Sequence, residues 1–329
     1  MKYIVQEINP ETEQVYISSK PRRDIDDIFR SMGYGFIHVF GSPSVNLGAY
    51  RKIRTSFEAL QQDDVIIFQL PMMTSPIILR RLFKSLAKRG VKIYVVVHDL
   101  DDFEKNGAAI SRICDGVFVN NEKCALELIR MKFDMNKVIP LELFDYLIPD
   151  SISGACGEYD RKGPVIFAGT LSREESAFLY HLPDNYKFIV YGSGFEGKAG
   201  DHVEFGGDYK PEDLPFMLKG SFGLIWDGTS PMTCLGIAGE RLKRDNPEQL
   251  SLFLASGLPV IVWSESAAAD FVIQNECGFT VSSLAEIGYR IKGMSEKTYT
   301  KMRQNAENLG IPMRDGVYTR RAVIKMCDE

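Results

Sequence analysis

Residues 246–262, NPEQLSLFLASGLPVIV, read as a loop, a helix, a glycine stop and a buried strand. Asn246 suits the helix cap, and Pro247 suits the first helical position, where its missing N–H costs no hydrogen bond. Leu250, Phe253 and Leu254 recur at spacings of three and four and mark one helical face. Gly257 ends the helix and Pro259 follows the stop. Val260, Ile261 and Val262 form a short apolar β-branched run, as in a parallel strand covered on both faces. In a two-domain α/β protein the start of this helix faces the cleft. Its unbonded N–H groups and positive dipole end there suit a phosphate.

The same alternation runs outward from this unit. Apolar runs at 1–8 (with a second short strand, QVYISS, at 14–19), 35–40, 64–70, 91–97, 116–120 and 137–141 predict strands. Periodic stretches at 24–32, 50–60, 76–89 and 122–132 predict helices between them, the third carrying Ile77, Leu79, Leu82 and Leu86 inward. After a poorly apolar linker, PDSISGACGEYDRKG at 149–163, strands are predicted at 164–169, 187–194, 202–205, 221–228 and 278–281. Residues 228–245 read as a long loop, and helices are predicted near 267–274, over 283–308 and at 316–327. Strand and helix in alternation imply parallel sheets with helices on both faces. The expected class is α/β: two doubly wound Rossmann-like domains facing a central cleft. The expected units are an acceptor-side domain at 1–155, a nucleotide-sugar-binding domain at 156–310, and a C-terminal helix, 311–329, that crosses back to the first.

Composition narrows the function. The chain has 329 residues, 45% of them apolar, enough for two cores. A net charge of -5 argues against a general nucleic-acid binder. The basic runs KPRR (20–23) and RRLFKSLAKR (80–89) read as solvated faces. Six scattered cysteines without a C-x-x-C pair argue against a zinc site and a disulfide scaffold, and Cys124 and Cys277 read as core thiols. With no signal peptide or long apolar span, the expected compartment is the cytoplasm, with peripheral membrane contact and homo-oligomerisation left open.

Ligands of open α/β sheets bind beyond the C-terminal strand ends. That rule selects Asp99, the turn Gly169–Arg173, Tyr191–Gly194, Trp226–Asp227 and the helix start at 246–250. Among these pieces, VIIFQLP, VVVHDL, FAGTLSR, GDYKPE (207–212), FGLIWDG, NPEQLSLFLASGLPVIVW and YTRR (318–321) together resemble the bacterial GT-B glycosyltransferases of the glucosyltransferase-3 type. That group includes enzymes known as galactofuranosyltransferases. The resemblance spans nearly the whole chain. It implies a GT-B fold, a UDP-linked hexose donor held mainly by the second domain, and an acceptor held mainly by the first. It also implies transfer with inversion, without a required metal or other cofactor. The implied partners are a nucleotide sugar and a glycan, glycoprotein or lipid-linked oligosaccharide.

The resemblance makes Arg173 the diphosphate arginine, a role its planar fork of donors suits. It makes Tyr209 a donor-site contact, against a turn tyrosine packing its own loop. Thr170, Gly192, Asp227, Asn246, Glu248, Gln249 and Leu250 complete the expected donor side. Asp227 reads equally as a sugar-hydroxyl ligand or a loop cap. The family usually has His-Lys where this chain has Glu248-Gln249, and a neutral glutamine predicts weaker diphosphate binding unless Lys243 or Arg244 substitutes. Asp99 is the expected general base, against the reading of a carboxylate capping the next loop. His98, Met72, Thr74 and Arg23 are the expected acceptor side, with His98 a positioning residue. Asp99-Leu100-Asp101 also matches the D-x-D metal signature of single-domain transferases, which the tandem plan disfavours. Two rival readings are a non-catalytic sugar-nucleotide-binding partner of another transferase and an epimerase on the same two-domain plan.

Overall fold

The computed structural model describes residues 1–16, 19–107, 112–149 and 161–327. It divides into two compact units, Met1–Phe144 with Gly316–Glu329, and Asp145–Asp315. Of the linker expected at 149–163, residues 150–160 lie outside the described residues, and with them the expected boundary at 155/156 and Cys156.

In chain order, the first unit holds β1 (Lys2–Ile8), α1 (Lys20–Ser31), β2 (Gly35–Phe40), α2 (Leu47–Thr55), β3 (Val65–Leu70) and α3 (Pro76–Lys88). β4 (Lys92–Val97), α4 (Leu100–Asp102), β5 (Gly116–Val119), α5 (Glu122–Arg130) and β6 (Val138–Pro140) follow. The strands form one parallel sheet in the order β2-β1-β3-β4-β5-β6. The chain runs from β1 to one edge and then returns past its start, so the order reverses between β1 and β3. Alternate residues of β3 serve the two faces of the sheet: Ile66, Phe68 and Leu70 pack with Phe57 and Phe83, whereas Ile67 packs with Ile25 and Phe29 of α1.

The second unit holds β7 (Val165–Ala168), β8 (Phe188–Tyr191), β9 (Val203–Gly207), α6 (Leu214–Met217), β10 (Phe222–Ile225) and α7 (Gly236–Arg244). After these come α8 (Glu248–Ala255), β11 (Val260–Trp263), α9 (Ala268–Gln274), β12 (Gly278–Val281), α10 (Ile287–Gly293) and α11 (Glu296–Arg314). Its parallel order is β12-β11-β10-β7-β8-β9, with the reversal between β7 and β10. The final helix, α12 (Val317–Cys327), belongs to the first unit. It packs on α1 and β6, Arg320 Nη2 donates to Ser31 Oγ at 2.6 Å, and Ala322 and Val323 join the cluster around Phe29.

Several local expectations are corrected. α8 begins at Glu248, and Pro247, with ψ 155°, occupies the cap position without a side-chain cap, so Asn246 does not cap the helix. Residues Leu250 to Ala255 are all buried, because α8 is covered by β10, β11, α6 and α11 together rather than on one face. Gly257 does end it, at φ 71°. α1 begins at Lys20 and not at Asp24, because Pro21 sits in the first turn, where a proline is tolerated. Lys20, Arg22 and Arg23 are thus helical, and KPRR is no solvated face, since Lys20 and Arg22 are only 4% and 6% exposed. Ile78, not Ile77, faces the core from α3. The second N-terminal strand reduces to one bridge from Val15 to Ile8, with residues 17–18 outside the described set. The loop expected at 228–245 contains α7, and α11 continues past 308 to Arg314 with Pro312 inside it. Cys114, Cys124, Cys234 and Cys277 are buried free thiols. No helix among the described residues is long and apolar enough to cross a membrane.

Candidate active site

Each unit has a cavity beyond the ends of its strands, and each cavity contains residues expected from the sequence. In the second unit, a cavity of about 130 Å³ lies beyond the ends of β7 and β10. Thr170, Glu175, Ser176, Trp226, Asp227, Leu242, Pro247 and Gln249 line it, with Phe167, Leu224 and Ile225 beneath. Three elements far apart in sequence, β7, β10 and α8, thus bring Thr170, Asp227 and Gln249 together. The Gln249 Nε2 atom lies 3.1 Å from where a side-chain carbon on Gly169 would stand, so a larger residue at 169 would push the amide aside. Gly192, at φ 131°, is required by its neighbour: a β-carbon there would sit 1.9 Å from the Gly169 carbonyl oxygen.

Charge at this cavity is sparse. Its lining includes the carboxylates Glu175 and Asp227 and, among the described residues, no lysine or arginine. Burial raises the Asp227 carboxyl above its ordinary range, while the Gly228 amide, donating at 2.7 Å, and the Arg241 charge oppose that rise. Asp227 therefore caps its own loop and also faces the cavity. Arg241, on the helix read as loop, is the cation that sequence reasoning missed. Three closely spaced cations, Arg241, Lys243 and Arg244, were the available signal. Lys243 is committed elsewhere, to Glu240 at 3.0 Å and Glu265 at 3.4 Å, and lies over the Trp263 ring.

The other donor candidates do not line this cavity. The Arg173 guanidinium stacks 3.9 Å from the centre of the Tyr180 ring and pairs with Glu196 at 3.9 Å on an exposed surface. Tyr209 folds back toward Gly207 and Tyr191, the conformation of a tyrosine packing its own loop. Asn246 is buried, and its backbone N–H donates to Asp245 Oδ1 at 2.9 Å. Glu248 is half-buried. Leu250 is a core residue whose amide already donates to the Pro247 carbonyl at 3.0 Å, so it has no N–H left for a ligand.

In the first unit a cavity of about 260 Å³ opens where β3 ends in the cis Leu70–Pro71 peptide. Pro43, Met72, Met73, Thr74, Ser75 and Asp102 are among its lining residues. Thr74 is 1% exposed and its hydroxyl donates to Glu7 Oε1 at 2.6 Å, so it holds the wall rather than offering a free donor. Burial pushes the Glu7 carboxyl up, against the hydrogen bonds from Thr74 and Met73. Arg23 lies half-buried on α1, whereas its neighbour Arg22 is buried. Arg22 donates to the Gln69 carbonyl at 3.2 Å and to the Pro71 carbonyl, fixing the end of β3.

Beside this cavity, β4 delivers His98 and Asp99. Asp99 Oδ1 accepts the Asp102 amide at 2.9 Å and caps α4, so the capping reading is realised here. His98 Nε2 meets Gln69 Oε1 at 2.6 Å, and its ring stacks on Phe144 with centroids 5.0 Å apart. Desolvation, with the Arg22 charge adding to it, holds the imidazole well below its ordinary pKa. Behind Gln69 lies Asp26, whose carboxyl burial raises to about 6. Gln69 Nε2 donates to Asp26 Oδ1 at 2.7 Å, and Gln6 Nε2 donates to Oδ2 at 2.9 Å. Gln6 and Gln69 went unread in the sequence, whereas Arg22 stands in the KPRR run and Asp26 in a second D-x-D triplet, Asp24-Ile25-Asp26. The signal was a glutamine near the end of each of two strands, KYIVQEI and VIIFQL.

The chain can now be set beside known proteins. Residues 1–143 match the family described as Glucosyltransferase 3-like, N-terminal domain, and residues 165–326 match Glucosyltransferase 3-like, C-terminal domain. The chain is 30% identical over 321 residues to the β-1,6-galactofuranosyltransferase WbbI of Escherichia coli (strain K12), covering 94% of each. It is 23% identical to glucosyltransferase 3 of Streptococcus parasanguinis over 80% of this chain and 78% of that one. Among solved structures it resembles Anabaena HepE in complex with UDP-glucose, with a TM-score of 0.63, 11% identity and full coverage of both chains. That likeness shows the fold, the two Rossmann-like domains of the GT-B class.

Proposed function

The chain belongs to the glucosyltransferase 3-like family of glycosyltransferases, and from that premise we propose that it moves a hexose from a UDP-sugar to a hydroxyl of a glycan, glycoprotein or lipid-linked oligosaccharide, with inversion and without a required metal. The observation that carries this reading is the convergence of Thr170, Asp227 and Gln249 on one cavity at the β7/β10 reversal. That place in an open α/β sheet is where nucleotide ligands bind. The WbbI relative supports a galactofuranose or other hexose donor, and the HepE complex supports uridine diphosphate as its carrier.

In this mechanism the acceptor hydroxyl oxygen attacks the anomeric carbon as the bond to the diphosphate breaks. Asp99 takes the hydroxyl proton, exchanging its cap on α4 for the substrate, and such a base is worth ~10²–10⁴ in rate. Thr170 and Gln249 contribute neutral hydrogen bonds to the donor, and Arg241 and Arg173 are the cations assigned to the departing diphosphate. His98, Met72, Met73 and Arg23 are the acceptor side.

Thermal unfolding with UDP, UDP-glucose, UDP-galactose and GDP-mannose tests the donor class. A ligand present at 100 times its dissociation constant stabilises by about 2.7 kcal/mol. For a unit of this size that is a rise of roughly 5–10 °C. The expected result is a shift with the uridine compounds alone, joined by UDP release that requires an acceptor glycan. No shift with any of them, together with no release, would sink the proposal.

A further inference from the structure

The polar chain behind His98 has a direction. Asp26 lies on α1, 6% exposed, with Gln6 of β1 and Gln69 of β3 on its two oxygens. An ionised carboxylate only accepts hydrogen bonds. Each glutamine must therefore turn its NH₂ group toward Asp26 and its carbonyl oxygen away. The two outward oxygens meet histidines: Gln69 Oε1 faces His98 Nε2 at 2.6 Å, and Gln6 Oε1 faces His38 Nε2 at 3.0 Å. An oxygen facing a ring nitrogen fixes that nitrogen as the protonated one. For His98 the parallel Phe144 ring, at an interplanar angle of 8°, also restrains rotation of the imidazole. The Arg22 carbonyl gives Gln69 Nε2 a second acceptor at 3.3 Å, which holds the same orientation of the amide.

We propose that Asp26 and Gln69 are positioning residues that lock His98 as its Nε2–H tautomer, so that the Nδ1 lone pair is presented to a hydroxyl of the acceptor sugar next to the base Asp99. This rests on the transferase reading above. That hydroxyl neighbours the one that reacts: its own hydrogen bonds to Nδ1, and the reacting O–H is left to Asp99. Burial of His98 against Arg22 keeps the imidazolium from forming and so preserves that lone pair. An unlocked histidine would divide itself between two tautomers, and one of them would present an N–H to the hydroxyl.

The geometry supplies a rescue experiment. In Asp26→Asn the side chain has one acceptor and one donor, so it cannot accept from both glutamines. One glutamine must invert and present NH₂ to its histidine. In the double variant Asp26→Asn/Gln69→Glu, the new carboxylate at position 69 accepts both from the side-chain NH₂ at position 26 and from His98 Nε2. The amide oxygen at position 26 still accepts from Gln6. The double substitution therefore restores the lock with the charge moved one residue along.

The test is ¹⁵N NMR of the imidazoles in histidine-labelled protein, which has only four histidines, His98 being assigned by a His98→Asn sample. Donor-dependent UDP release is measured on the same variants. Expected are Nε2–H at His98 in the wild type, and in Asp26→Asn an inverted tautomer at His98 or loss of a single form there. The kcat of Asp26→Asn should fall roughly 10- to 100-fold, as for a misplaced reacting group, with the KM for the donor within about twofold. In the double variant the tautomer and most of kcat return, and the acid limb of the pH profile moves up because a carboxylate now contacts His98. The proposal is overturned by Nδ1–H at His98 in the wild type, by an Asp26→Asn enzyme that loses kcat with the tautomer unchanged, by one with the tautomer inverted and kcat intact, or by one in which Gln6 turns instead, so that His38 changes while the His98 tautomer and kcat do not. If the wild type releases no UDP with any donor and acceptor, the transferase reading fails and takes the sugar-facing role of Nδ1 with it. The wild-type spectrum separates that failure from a failure of the lock.

Discussion

The two reversal points of this molecule follow one topological rule and are filled with opposite chemistry. Between β1 and β3, the space behind the strand ends is occupied by the protein's own polar side chains, Gln6, Glu7, Arg22, Asp26 and Gln69, all at most 8% exposed. Between β7 and β10 the strand ends give out onto glycine, a threonine, a capped aspartate and a neutral glutamine around open space. The first place is built to hold something still, because buried polar groups are tolerated only when fully paired and are then rigid. The second is built to be entered. A two-substrate transferase needs both: a fixed geometry where a proton leaves, and an accessible pocket where a nucleotide comes and goes.

The comparison can be broken most sharply at Asp99. If the first site works by fixed geometry around a base, Asp99→Asn loses ~10²–10⁴ in kcat, while UDP binding at the second, seen as the thermal shift, is unchanged. Loss of both in equal measure would mean that Asp99 supports the structure and not the proton transfer. The next largest effect concerns the cost of holding a carboxylate in the first site. Asp26 titrates near 6 in the fold against an ordinary 3.8, so its favourable contribution is complete below pH 4 and is lost as the pH rises toward 6. Wild-type protein should therefore lose about 2.4 kcal/mol relative to Asp26→Asn between pH 4 and 7, most of it below pH 6, at up to 1.36 kcal/mol per pH unit. Urea unfolding of both proteins at the two pH values measures this, and a constant difference would contradict it.

At the second site the expected effects are smaller, since its interactions are with solvent until a ligand arrives. Gln249→Lys places a charge where the chain offers a neutral amide. Charge-assisted hydrogen bonds exceed neutral ones by about 1 kcal/mol, so UDP should bind roughly fivefold tighter by calorimetry. Unchanged affinity would place the diphosphate away from α8. Smallest of all, Glu196→Gln removes an exposed partner of Arg173. The stability change should stay under about 1 kcal/mol in thermal unfolding. A larger loss would show that the Arg173–Tyr180 stack depends on that carboxylate.

The two sites also differ in how far the sequence disclosed them. Val260–Trp263, Lys92–Val97 and the turns that follow them were legible because a buried parallel strand needs an unbroken apolar run, and its exit needs glycine or a polar stop. The cavity of the second unit was reachable by that route, for Thr170 and Asp227 each lie just beyond a strand and Gln249 lies at a helix start. α8 starts one residue later than the sequence predicts because Pro247 is extended, and α1 starts four residues earlier because its first turn holds a proline among cations. α7 reads as loop in the sequence because two glycines interrupt its short pattern. The first site was illegible for another reason. Gln6, Asp26 and Gln69 stand in three separate elements, Asp26 among the many charges of α1, and nothing in one dimension says that they meet.

The return of α12 to the first unit bears on how the protein is made. Ala322 and Val323 complete a core that also contains Ile25, Phe29, Ile139 and Phe144. During synthesis that core waits, with its α12 side uncovered, while all of residues 145–315 emerges. At 5–20 residues per second the wait is roughly 10–30 s. The half of the protein translated first is thus the half finished last. A chain truncated at Asp315 and released should have a folded second unit and an unfinished first one whose uncovered apolar face holdase chaperones can bind.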